Sequence, residues 1–80
     1  MFYVYILQSL KNGRYYVGFS SDVAARLERH NRGMVKATKY LRPWIIVYTE
    51  IFGDEIKAKQ REFDIKQKKS RKYLEMLITR

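Results

Sequence analysis

Tyr5, Tyr16, Arg26 and Glu62 are the polar side chains that stand out in this 80-residue sequence, and His30 follows Arg26 four positions on. Glu62 is the odd one. It shares a helical row with Ala58 and Ile65, so one turn either way is apolar. A carboxylate on such a row is costly to bury unless it is paired or holds a metal ion. Arg26 and His30 fall on one face of a helix. A metal ion and a positioned guanidinium stabilise a concentrated anion. Each residue alone also has an ordinary reading. Glu62 reads as a boundary salt bridge, Arg26 as one more exposed arginine, Tyr5 and Tyr16 as strand aromatics, and His30 as a structural histidine.

The elements that must carry these residues follow from pattern. Residues 2–7 and 15–19 are β-branched and aromatic, with Asn12-Gly13 between them as a hairpin signal. A two-residue turn with Lys11 opposite Arg14 puts Tyr3, Tyr5 and Leu7 on the same face as Tyr16 and Gly18. It also leaves Tyr5 and Tyr16 four rungs apart, about 13 Å; a longer loop or a bulge would bring them closer. Ser21 or Asp22 caps a helix expected to reach about Met34, with Gly33 as its stop and Val23, Leu27 and Met34 at helical spacing. Residues 35–43 form a basic loop. Trp44 to Tyr48 is apolar on both sides and reads as a central strand covered on both faces. Asp54 caps a second helix over about 55–67, with Ile56 and Phe63 on the row beside Glu62. Ser70 caps a third, with Tyr73, Leu74, Leu77 and Ile78 as its buried stripe. The expectation is one α+β domain over residues 1–80, a small three-stranded antiparallel sheet flanked by helices in the order β-β-α-β-α-α.

Composition narrows the function classes. There is no cysteine and one histidine, which excludes a disulfide framework, a thiolate site and a zinc finger. No apolar run approaches the roughly 20 residues of a membrane span. The N-terminus lacks the basic region of a secretion signal. The location expected is intracellular. Seventeen Lys and Arg against eight Asp and Glu give a net charge of +9. The cations gather in two stretches. One holds Arg26, Arg29, Arg32, Lys36, Lys39 and Arg42; the other runs over residues 57–72 and includes Lys66, Lys68 and Lys69. Such an excess attracts polyanions through counterion release, and nucleic acid is the expected partner. Solvated helix faces, or a patch for an anionic membrane, would use the same charges.

Taken together, these residues form a pattern. Tyr3-Val4-Tyr5, ten residues, then Tyr16-Val17-Gly18 resembles the paired motif of the GIY-YIG nuclease superfamily. Arg26-Leu27-Glu28-Arg29-His30 is similar to that family's Arg-Leu-x-x-His helix. The segment from Ala58 to Lys66 looks like its glutamate-bearing helix. The likeness spans nearly the whole chain, and is nearest to the small stand-alone bacterial members grouped as UPF0213 or as homologues of the UvrC nuclease domain. It departs from the pattern where Tyr3 replaces glycine and Val4 replaces isoleucine. No asparagine follows Glu62, as one does in many members; the only two are Asn12 and Asn31.

The resemblance implies a metal-dependent DNA endonuclease acting in repair or recombination. It also narrows the expected location to the cytoplasm of a bacterium, in association with the nucleoid. One divalent ion, Mg2+ or Mn2+, would be held by Glu62. Tyr5 would activate the attacking water, Tyr16 would orient or deprotonate it, Arg26 would stabilise the phosphate charge, and His30 would assist. A tyrosine is a poor base at its free pKa near 10, so this role requires a neighbouring cation to depress that value. So small a chain is expected to select DNA structure, such as branches or nicks, over a long sequence. The missing asparagine points to weak activity or to dependence on a protein partner. The alternative is a nucleic-acid-binding module of the same fold with catalysis weak or lost.

Overall fold

The computed structural model describes residues 1–80. Its elements are β1 (Phe2–Ser9), β2 (Tyr15–Ser20), α1 (Val23–Asn31), β3 (Trp44–Phe52), α2 (Glu55–Lys68) and α3 (Arg71–Ile78), with a 3-10 turn at Lys39–Leu41 inside the basic loop. The strands form one antiparallel sheet in the order β2-β1-β3. This is the α+β architecture and element order expected.

The central strand is β1, where Val4, Tyr5, Ile6 and Leu7 have no exposed surface. The expectation that β3 is central and covered on both faces is corrected: β3 lies at an edge, and Ile45, Ile46 and Ile51 are exposed. An apolar run signals a buried strand without saying which of two such runs has neighbours on both sides. β1 has them because its hairpin partner occupies one flank and the chain returns through α1 to the other. Val4, Ile6 and Val17 face α2 and α3, packing with Ala58, Ile65 and Leu77. On the opposite face Tyr5, Leu7 and Trp44 pack with Tyr16, Val23, Leu27 and Leu41.

Two irregularities set what each face carries. The hairpin is not the two-residue turn. Ser9 N–H donates to Arg14 C=O at 2.8 Å, Gly13 N–H donates to Ser9 C=O at 2.9 Å, and Gly13 takes φ +79°. The buried Ser9 hydroxyl accepts from the amides of Lys11 (3.0 Å) and Asn12 (3.2 Å), which stabilises the longer loop. Register therefore moves by two residues: Leu7 pairs with Tyr16 and Tyr5 with Gly18. The second irregularity is a bulge in the β1–β3 ladder, where Ile6 opposes Tyr48 but Leu7 opposes Ile46. A one-residue slip inverts the faces of a strand. Here it turns Trp44 onto the Tyr5 side.

The helix α1 starts where Asp22 accepts the Ala25 N–H at 3.0 Å. It ends at Asn31, short of the expected Met34. Gly33 at φ +76° closes a Schellman motif, with Gly33 N–H on His30 C=O (3.1 Å) and Met34 N–H on Arg29 C=O (3.0 Å). Met34 is consequently exposed, as are Ile56 and Phe63 on α2. Asn31 clamps the start of β3: its Oδ1 accepts the Trp44 N–H at 2.6 Å and its Nδ2 donates to the Trp44 C=O at 3.0 Å. On the other sheet face Arg61 donates to both oxygens of Glu50 at 2.9 Å and to the Tyr73 hydroxyl at 3.2 Å, tying β3, α2 and α3 together.

Replacing Asn31 by alanine removes both bonds and strands the amide of a buried residue. We expect urea denaturation to show a loss of about 1–3 kcal/mol, with Trp44 fluorescence as the probe; an unchanged midpoint would mean the clamp is dispensable.

Candidate active site

The site is built outward from Gly18. Tyr5 opposes Gly18 in the ladder, and its ring lies across the glycine backbone: a Cβ at residue 18 would fall 2.5 Å from the phenol oxygen and 2.6 Å from Cζ. Glycine is needed here for space, since its φ is ordinary. The close approach it permits is that of Tyr5 itself.

From this position the Tyr5 hydroxyl meets His30 Nε2 at 3.2 Å. His30 Nδ1 lies 2.7 Å from Thr38 Oγ1. The Thr38 hydroxyl donates to the Val35 carbonyl at 3.3 Å, so its oxygen is left to accept from His30. That assigns the proton of the neutral imidazole to Nδ1 and leaves Nε2 to accept from Tyr5. All three side chains are buried, Tyr5 and His30 with no exposed surface and Thr38 with 1%. Burial pushes the His30 imidazole below its ordinary value of 6.5, and the cations Arg26 and Arg29 push it the same way. Burial also raises the Tyr5 phenol above 10.0; Arg26 beside it pulls down, while Tyr16 and Glu62 add to the rise. The tyrosine is thus held protonated, and the nearby guanidinium does not depress it on balance.

Tyr16, Arg26 and Glu62 lie half-buried around this chain of bonds. The Tyr16 ring stands edge-on to His30 at 5.0 Å between centroids and to Trp44 at 6.3 Å. Arg26 keeps a buried Nε–H with no acceptor, a donor whose desolvation costs about 1–3 kcal/mol. Glu62 pairs with Lys66 Nζ at 3.6 Å, and that ammonium stands 5.8 Å from the Tyr16 ring. An exposed i,i+4 pair of this kind is worth only about 0.3–0.5 kcal/mol. The fold therefore brings together all five residues singled out by type and spacing.

The basic residues Arg29, Arg32, Lys36, Lys39, Arg42, Lys66, Lys68 and Lys69 are all exposed. The first five lie on α1 and the loop behind His30, the last three at the end of α2, where Lys66 stands beside Tyr16 and Lys68 over Tyr73. Arg32 is partly neutralised by Glu28, one turn earlier on α1. Thr38 is the residue that the pattern missed. A threonine in a basic loop carries no local signal, and only the folded position of His30 eight residues earlier gives it a role. Ser9 escaped for the same reason.

With two tyrosines, an arginine, a histidine and a glutamate gathered on this β-β-α-β-α-α frame, the chain belongs to the GIY-YIG family of nucleases. The model of the GIY-YIG catalytic domain matches residues 1–74. UPF0213 proteins of Staphylococcus aureus strains Mu3 and N315 are each 39% identical over 79 residues, covering 98% of this chain and 95% of theirs. The solution NMR structure of a UPF0213 protein from Bacillus halodurans is 36% identical, with a TM-score of 0.61 over 99% of this chain and 84% of that one. No helix is long and apolar enough to cross a membrane.

Two measurements probe the site directly. Gly18→Ala should displace the Tyr5 ring, shifting the Tyr5 and His30 resonances while the amide spectrum stays folded; an undisturbed His30 would remove the steric argument. His30 also links stability to pH. Between its lowered native pKa and 6.5 the unfolded chain binds more protons, so stability falls as pH drops through that window and is fully present above 6.5. The urea midpoint of wild type should fall from pH 7 to pH 5, and His30→Gln should flatten that limb. A midpoint that rises on acidification contradicts the assignment.

Proposed function

We propose that the protein is a metal-dependent DNA endonuclease that hydrolyses phosphodiester bonds, with Tyr5, Tyr16, Arg26, His30 and Glu62 as its site. The observation that carries this reading is the buried Tyr5–His30–Thr38 chain set directly behind Tyr16 and Arg26.

Exposure divides the labour. A group without exposed surface touches no water, so Tyr5 and His30 act as positioning residues. Tyr16 is the phenol that meets the attacking water, which reverses the order of the two tyrosines implied by the family resemblance. His30 packs against the Tyr16 ring, and Tyr5 and Thr38 hold His30 in one tautomer. Arg26, half-buried with its Nε inside, offers the outer nitrogens of its guanidinium to a phosphate oxygen, where a fixed donor stabilises charge that grows in the transition state. Glu62 would hold the divalent ion, Mg2+ or Mn2+. No group of three or more His, Cys, Asp or Glu clusters in the fold, so the donor set is one carboxylate, which suits Mg2+ with water and phosphate oxygens as its other ligands. Lys66 is too weakly paired to compete. When bound, the ion supplies charge neutralisation at the phosphate and lowers the pKa of a coordinated water.

The physiological reading is structure-selective cleavage in repair or recombination. The two basic stretches suit backbone phosphates, which carry no sequence information.

The deciding experiment is cleavage of labelled single-stranded, duplex, flap and junction DNAs with Mg2+ or Mn2+. Wild type should cut at least one of them, and Glu62→Ala should bind DNA but not cut it. Tyr16→Phe should lose about 10²–10⁴ in kcat, the usual contribution of a positioned proton-transfer group; Tyr5→Phe should lose about tenfold, by loosening His30. A larger loss for Tyr5→Phe than for Tyr16→Phe would restore Tyr5 to the front. Binding without cleavage by wild type in either metal would leave a nucleic-acid-binding module.

A further inference from the structure

Away from the Tyr5–His30–Thr38 chain, a cavity of about 250 Å3 opens between β2 and the junction of α2 with α3. Its floor is apolar, from Ile65 and Leu74, and Tyr15 forms a wall. Arg14, Lys66, Lys69 and Arg71 surround it, and no acid lines it. The Arg71 guanidinium lies 4.5 Å from the centroid of the Tyr15 ring and pairs through Nε with Glu75 Oε2 at 3.3 Å.

Each half of this lining selects something different. Of the four cations, Lys66 pairs with Glu62 and Arg71 with Glu75, whereas Arg14 and Lys69 have no carboxylate partner, so the rim keeps an excess of positive charge that an anion would offset. An apolar floor beside an aromatic ring takes a flat, weakly polar group. The ligand class that presents both at once is a nucleotide, a ring attached to a phosphate. Volume then restricts it further. About 250 Å3 is just under the roughly 300 Å3 where small-molecule sites begin, enough for one nucleotide and too little for a base pair.

We propose that this cavity binds one unpaired nucleotide of the DNA strand, its base on Ile65 and Leu74 against Tyr15 and its phosphate on Lys69 and Arg71. The proposal rests on the nuclease reading and extends it to substrate class. Tyr15 and Tyr16 are successive strand residues and point to opposite faces of β2, an edge strand. A strand crossing that edge passes Lys66, which lines the cavity, pairs with Glu62 and stands beside Tyr16. A nucleotide captured here adjoins the scissile phosphate, so the enzyme selects single strands, flaps or frayed ends over continuous duplex.

The test is a metal-free titration of isotope-labelled protein with dAMP, deoxyribose 5-phosphate and inorganic phosphate, reading the amides of Tyr15, Val17, Ser70, Arg71 and Leu74. Saturable dAMP shifts confined to these residues are expected. The affinity for dAMP should exceed that for the sugar phosphate by about fivefold or more, the low end of what stacking one base contributes. Lys69→Ala/Arg71→Ala removes two exposed side chains without touching the core. It should weaken dAMP about fivefold and weaken a single-stranded oligonucleotide more than a blunt duplex. Equal affinity for all three ligands, shifts spread along α1, or equal losses on both DNAs would overturn base capture. Because no metal is present and no cleavage is read, the two readings fail separately. A protein that cuts DNA but ignores dAMP loses only the pocket, and one that binds dAMP but cuts nothing loses only the nuclease.

Discussion

The Tyr5 phenol occupies the volume that any side chain at residue 18 would require, with its oxygen 2.5 Å from where a Cβ would stand. Much of the site depends on this one steric allowance. Because the ring can lie flat over β2, its hydroxyl reaches across to α1 and finds His30. His30, so engaged, presents its other nitrogen to Thr38. Thr38 in turn anchors the basic loop: its carbonyl accepts the Trp44 indole N–H at 2.9 Å and the Leu41 amide at 3.1 Å. Sheet, helix and loop are thereby joined through groups that would each be costly to bury alone. Every polar member of the chain is satisfied, which is what allows a tyrosine, a histidine and a threonine to lie in the core of so small a fold.

Against that satisfied interior, the half-buried layer in front is deliberately unbalanced. Arg26 has a donor without an acceptor, and Glu62 has only a weak lysine partner. By contrast Glu50, on the far face, accepts two bonds from Arg61 and one from Tyr48; those bonds hold its carboxyl below the usual range and raise Arg61 further. The Glu50–Arg61 and Glu62–Lys66 pairs are therefore of different kinds. One is closed and fastens secondary structure together. The other is open toward solvent, beside a phenol, within a molecule of net charge +9. Excess positive charge destabilises the free protein modestly, and an anionic partner relieves it.

How much of this is legible in the residues varies by element. The helix starts were readable, since Asp22, Asp54 and Ser70 each accept an amide of the following turn; capping is local, decided within three residues. The α2 row with Ala58 and Ile65 buried and Glu62 between them was readable for the same reason, because helical period is a property of the chain itself. Helix α1 ends at Asn31, three residues before the expected Met34, although Gly33 is visible in the sequence as a stop. The left-handed glycine terminates the helix before itself, and Met34 has no turn left to occupy.

Types, spacing and charge placed Tyr5, Tyr16, Arg26, His30 and Glu62 on elements of known kind, and to that extent the β-β-α-β-α-α order, the cationic surface and the GIY-YIG membership were legible in the residues alone. Register, strand order and partners were decided only in three dimensions. Whether Tyr5 lies four rungs or two from Tyr16 depends on the buried Ser9 hydroxyl collecting the loop amides. The side of the sheet that Trp44 joins depends on a one-residue bulge. Which strand is central depends on where the chain returns after α1. Which tyrosine is buried and which only half-buried follows from all three. The physical reason is common to them: local free energies such as caps and helical periods are set by neighbours in the chain, whereas pairing and burial are set by neighbours in space, and those exist only once the whole core has closed.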